Sequence, residues 1–215
     1  HQPEYRQRGL IALSMMDDLD ADNELEQLLH VDSVQSRYGA FRALRKRDPH
    51  DPLIPQFNME GEFHLHVVES KSEPLVHLSW NERPEVVLFG EDIELQLPAL
   101  VFAGKRIIVD GRHGNAVKVS MFHQDKGDIH EHCSSNLADI LDTISRLEGT
   151  YPEIVLFLRQ AYERQYLTSR LALDSVPEFG GNLTHKQPTD SISFNTRPTG
   201  TNPLQPTTTP HTDPH

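Results

Sequence analysis

Val34, Tyr38, Phe41 and Leu44 recur at the spacing of one helical face, with mostly polar residues between them. The pattern predicts a helix over Ser33–Arg47. Asp32 with Gln35 three residues on resembles a capping box, and Pro49 and Pro52 cannot continue the helix. An apolar stripe of this kind has to be buried against a partner, and the sequence upstream offers one. Shifting the chain by 31 residues lays Arg6 on Arg37, Leu10 on Phe41, Ala12 on Ala43, Leu13 on Leu44 and Asp17 on Asp48. Periods of this size arise from stacked helical repeats. Residues 1–52 therefore read as the last one and a half units of a HEAT-like stack, with Asn23–His30 as an outer helix presenting Leu25, Leu28 and Leu29. The plainer reading is a helical hairpin.

Beyond Pro52 and Pro55 the period falls to two. Apolar and polar residues alternate in Phe63–Val67, as in a strand buried on one face. Leu75–Trp80, Val86–Phe89, Ile93–Leu97, Arg106–Val109, Ala116–Phe122 and Ile129–Cys133 are further strand candidates. Asn81 to Pro84 and the loop Asp110-Gly-Arg-His-Gly-Asn115 supply turn chemistry, the latter closing a hairpin. Short strands with turns between them predict a mostly antiparallel sandwich or barrel. The helical period then returns in Leu137, Ile140, Leu141, Ile144 and Leu147, opened by Ser134-Ser135-Asn136 and closed by Gly149. Tyr151-Pro152-Glu153 starts a second helix, whose buried face Ile154, Val155, Leu158, Ala161 and Tyr162 runs to about Tyr166. Leu171, Leu173 and Val176 read as a last extended segment. The expected fold class is α+β: helical repeats over 1–52, a β-rich domain with a C-terminal helical hairpin over 53–177, and a tail over 178–215. That tail is rich in Thr, Pro, Asn and His, buries too little apolar area to offset ordering, and is expected to be disordered.

Composition narrows the partners. A formal charge of −12 argues against nucleic acid, which needs clustered Lys and Arg. The one basic run, Arg42-Ala-Leu-Arg45-Lys46-Arg47, lies in the last turns of its helix, where it complements the dipole. No apolar run reaches the ~20 residues of a membrane helix. Cys133 is the only cysteine, so no internal disulfide forms and no compartment follows. A start at His1 rather than Met reads as a fragment, and carries no information on a signal peptide.

The chemistry of the sequence centres on histidine. His64-x-His66 puts two imidazoles on one strand face, and His130-x-His132, followed by Cys133, repeats the pattern. On neighbouring strands such pairs could ligate zinc tetrahedrally. With 13 histidines in the chain, pairs at this spacing also arise without a function, as the solvent faces of strands whose other faces are Phe63, Leu65, Val67 and Ile129. That plainer reading is preferred, because no HExxH or CxxC accompanies the pairs. No GxSxG elbow, GxGxxG or Walker loop is present. No residue is assigned a catalytic, cofactor-binding or metal-ligating role, and no cofactor is expected. Asn182-Leu-Thr184 fits a glycosylation acceptor, a triplet common by chance.

RYGAFRALRKRDPHDPLI at Arg37–Ile54 and PLVHLSWNERPEVVLFG at Pro74–Gly90, followed in order by GTYPEIVLFLRQA at Gly149–Ala161 and LALDSVP at Leu171–Pro177, resemble the extended form of the flagellar basal-body P-ring protein. The resemblance spans about residues 1–177 and concerns the lineage-restricted extension, not the ring-forming half. It implies a periplasmic, non-enzymatic structural module of a ring around the flagellar rod, with basal-body proteins or further copies of itself as partners. No functional residues carry over. A protein- or peptide-binding HEAT-repeat scaffold unrelated to flagella is the alternative, and a His-rich metal-binding protein the third reading.

Overall fold

The computed structural model describes residues 9–10, 12–13, 15, 19–60, 63–80, 84–123 and 127–174. All belong to the unit His1–Phe179; the second unit, Gly180–His215, lies outside them, as do Arg6, Asp17 and Val176. The elements are α1 (Leu19–Leu28), α2 (Val34–Arg47), β1 (Gln56–Asn58), β2 (His64–Val68), β3 (Leu75–Ser79), β4 (Glu85–Phe89), β5 (Leu100–Ala103), β6 (Ile107–Asp110), β7 (Val117–Met121), β8 (Ile129–Cys133), α3 (Leu137–Arg146), α4 (Tyr151–Glu163) and β9 (Arg170–Leu173). The fold is α+β, with two sheets. One has the order β1-β2-β4-β3-β9 and the other β5-β6-β7-β8. Five of the seven pairings are antiparallel, while β2 with β4 and β3 with β9 run parallel. Among the described residues no helix is long and apolar enough to cross a membrane.

The β domain is mostly antiparallel as expected and is divided into two sheets, with one feature the sequence did not predict: the five-stranded sheet is covered on both faces. Its strands β3 and β4 are buried at every position. One face presents Leu65, Val76, Leu78, Val86 and Leu88 to a core shared with α3, α4 and the inner residues of the second sheet. The other presents Val68, Leu75, Val87 and Phe89 to Leu25 of α1, to Leu29 just past its end, and to Tyr38, Phe41 and Leu44 of α2. Parallel pairs occur where both faces of a sheet are covered, as here.

The caps differ in detail from expectation. Ser33, not Asp32, is the N-cap of α2, its Oγ accepting from the Ser36 amide at 3.3 Å, while the helix ends at Arg47 before Pro49. Helix α3 opens on Asn136, whose Oδ1 accepts from Ala138 N at 2.9 Å. Helix α4 ends at Glu163, short of Tyr166, whose amide turns back to Ala161 O. Ile93–Leu97 does not form a ladder. It makes isolated bridges, Glu94 to Asn136 and Leu95 to Leu167, because it threads between the segments flanking the helices. Two strands, β1 and β5, are additional to the expected set.

Gly149 closes the turn after α3 by close approach. A Cβ on it would lie 2.5 Å from the Ile144 carbonyl oxygen, a backbone atom that cannot swing aside. Gly149→Ala is therefore expected to cost about 1–3 kcal/mol through overpacking, read as a lowered denaturation midpoint. An unchanged midpoint would show that the turn has room.

Candidate functional site

Among the described residues, a cluster of ionisable side chains withdrawn from water lies between α2 and the sheet. The helical spacing places Tyr38, Phe41 and Arg45 on one face of α2. Beneath them strand alternation aims His66 of β2, His77 and Ser79 of β3, and Glu85 of β4 at the same layer, with Asp174 just past β9. His66 is 0% exposed, Glu85 2% and His77 3%.

Glu85 is the hub. Its Oε1 accepts from the Tyr38 hydroxyl at 2.7 Å, and its Oε2 accepts from Arg45 Nη1. Arg45 Nη1 also stands 3.3 Å from His66 Nε2. A guanidinium only donates, so Nε2 is the acceptor and the ring proton sits on Nδ1. Aromatic contacts seal the layer: Tyr38 stacks on His77 at 3.7 Å, Phe41 meets His66 edge-on at 4.9 Å, and the Arg45 guanidinium lies 5.4 Å above the Phe41 ring. A second arm runs from His77 Nε2 to Asp174 Oδ1 at 3.4 Å, with the Ser79 hydroxyl donating to Asp174 Oδ2 at 3.0 Å. From the far side of the sheet, Tyr151 Oη reaches the carbonyls of Ser79 at 2.9 Å and Glu85 at 3.1 Å.

Burial dominates the electrostatics. It pushes the His66 pKa down to about 4, helped by Arg45 and His64 and opposed by Glu85. Burial, with Glu85 nearby, raises the Tyr38 and Tyr151 hydroxyls. For Asp174 burial acts upward, but the hydrogen bond and charge of His77 and the Ser79 hydroxyl outweigh it, and the carboxyl is held below its usual range. In chemical terms these are groups held neutral or paired. Ser79 faces a carboxylate rather than an imidazole, so the order is Ser–Asp–His. A Ser nucleophile needs the base next to its hydroxyl and the acid behind that base.

A pH dependence follows. A histidine whose folded pKa lies below its unfolded value of ~6.5 is charged first in the unfolded chain. The unfolded state then binds the extra proton, so stability falls as pH drops from about 6.5 towards 4, below which this histidine contributes no further loss. The loss is expected to be on the order of 3 kcal/mol. It is measured as denaturation midpoints at both ends of the window, with a flat profile there excluding a buried neutral His66.

The structure separates the histidine pairs named from sequence. His64 and His66 lie on β2 in the five-stranded sheet, His130 and His132 on β8 at the end of the other sheet. They are not on neighbouring strands. The solvent-facing reading is corrected for His66, which lies under Phe41 because α2 covers that face, whereas His130 and His132 are exposed. Among the described residues no group of three or more His, Cys, Asp or Glu is arranged to hold a metal ion. Cys133 is half-buried, its thiol 3.8 Å from the Val117 carbonyl and pushed up in pKa by burial, which disfavours the reactive thiolate. Of the basic run, Arg45 enters the buried network and Arg47 pairs with Asp22 at 2.9 Å. Sequence reasoning missed Arg45, Glu85, His77, Ser79 and Asp174 as a set. Its one available signal was an acid heading the apolar run Val86–Phe89.

No protein-family model, curated protein or solved structure matches the chain.

Proposed function

We propose that the chain is a non-enzymatic assembly module of a cell-envelope structure, the flagellar basal-body P-ring, and that it works in the periplasm beside basal-body proteins or further copies of itself. One observation carries the reading. The ionisable groups with the geometry to do chemistry are spent on fastening α2 to the sheet, beneath aromatic rings that keep a substrate out. The blocks that resemble the P-ring extension support it residue by residue. They hold Tyr38, Arg45, His77, Ser79, Glu85, Tyr151 and Asp174, every member of the network except His66.

The N-terminal helices belong to this reading as the end of a HEAT-like stack. Leu10 packs against Gly39, where a Cβ would meet the Leu10 side chain at 2.5 Å, and Arg47 Nη1 donates to the Leu13 carbonyl at 3.1 Å. Those contacts support the reading, because successive repeats pack side by side. Helices α3 and α4 form the C-terminal helical hairpin of the same reading.

The test is fractionation of cells that make the protein. Its recovery with detergent-extracted hook–basal bodies, labelled at the periplasmic rings, is the expected result. Recovery from the cytosol overturns the reading. Recovery from the periplasm free of basal bodies overturns the flagellar assignment and favours the unrelated protein-binding scaffold.

A further inference from the structure

The pair His130 and His132 has no part in the network above, and its position on the fold gives it another use. Strand β8 ends its sheet: β7 pairs with one side, and among the described residues no strand pairs with the other. An open edge offers unpaired backbone groups to a second chain, and natural proteins usually guard it with charge. Strand β8 is poorly guarded. Its only formally charged residue at neutral pH, Glu131, is paired with Arg146 of α3, and Ile129 is 42% exposed.

The order of residues is symmetric in kind about Glu131. If two β8 strands pair antiparallel across a two-fold axis there, Ile129 faces Cys133 of the second copy and His130 faces His132 of the second copy. His130 and His132 share the outer face, opposite to Glu131 and its Arg146 partner. Directly opposed residues have Cβ atoms about 4.5–5.5 Å apart, and residues two apart on one strand are about 6.6 Å apart. Four imidazoles therefore stand at the corners of a small rectangle on one face. A cation above its centre is within reach of all four at the about 2.0–2.1 Å that zinc takes to nitrogen. One chain supplies only two ligands. The net charge of −12 on each copy opposes association, and a bound divalent cation offsets part of it where the copies touch. Lys118, opposite His132 on β7, is a cation on that face, and its long stem lets the ammonium turn to solvent.

We propose that the β8 edges of two copies pair antiparallel about Glu131 and that His130 and His132 of both copies together bind one zinc ion. This goes beyond the assembly reading and does not depend on it.

The experiment is sedimentation of the full chain, purified without a tag, with EDTA and then with equimolar zinc chloride. A mass near 24.5 kDa in EDTA and twice that in zinc, with one ion retained per two chains, is expected. The His130→Asn/His132→Asn variant should stay monomeric in zinc, with a melting temperature in EDTA equal to that of the parent because both side chains are exposed. A His211→Asn/His215→Asn variant, altered only in the tail, should still dimerise. A chain that stays monomeric in zinc overturns the proposal, whether or not it binds the ion. So does a dimer that ignores EDTA, or one that survives loss of His130 and His132.

Discussion

Phe41→Ala is expected to lower the free energy of unfolding by about 3–5 kcal/mol, the range for truncating a buried aromatic. Phe41 is fully buried and touches residues from three directions: Phe89 at 6.4 Å, His66 at 4.9 Å and the Tyr38 ring at 5.9 Å between centroids. The stiff sheet below cannot close the resulting cavity, since β3 and β4 are packed from both sides. Truncation also removes the ring beneath the Arg45 guanidinium. The expected readout is a lower chemical-denaturation midpoint with an unchanged slope. A midpoint equal to the parent's would mean that α2 does not sit on the sheet.

Glu85→Ala is expected to cost about 3 kcal/mol, the lower end of the range for breaking a buried ion pair. The lower end applies because the Arg45 side chain keeps 29% of its exposure and can recover some water, whereas Glu85 keeps 3%. The loss comes less from the missing attraction than from the partners left behind, a Tyr38 hydroxyl and a guanidinium without their acceptor. A triple variant, Tyr38→Phe with Arg45→Met and Glu85→Leu, removes all three polar groups together. It should regain part of the stability, as apolar replacements of buried ion clusters do, short of the cost of the buried His66 Nε2 that loses Arg45. A triple variant no more stable than Glu85→Ala would show that the damage comes from changed packing rather than from orphaned polar groups.

The sequence pattern located what depends on local spacing. Tyr38, Phe41 and Leu44 are buried as the helical stripe requires, and β2, β3, β4, β6, β7 and β8 fall within a residue or so of the expected runs. Strand β1 escaped because its three residues carry no alternation and Phe57 is 48% exposed; β5 escaped behind Pro98. What local spacing cannot supply is the layer on the far side of a strand. Alternation put His64 and His66 on one face and Leu65 on the other, but it could not say that helices from residues 19–47 would return to cover the histidine face. The same gap hid the network: His77, Ser79 and Glu85 look like ordinary polar interruptions until Tyr38 and Arg45 are laid over them. The parallel pairing of β3 with β9, which delivers Asp174 to His77, joins residues too far apart in sequence for any periodicity to record.

Glu85 bonds in two directions from one residue: its carboxylate holds Tyr38 and Arg45 of α2, and its main-chain carbonyl meets Tyr151 of α4 from beneath. In mechanical terms β4 is a rivet through a plate. A tensile load applied to the N-terminal helices passes through Glu85 into the opposite layer within a single residue, before it spreads along the strands. Peeling the helices from the sheet then strains α4 at the same moment, so the two layers resist a pull together and yield together.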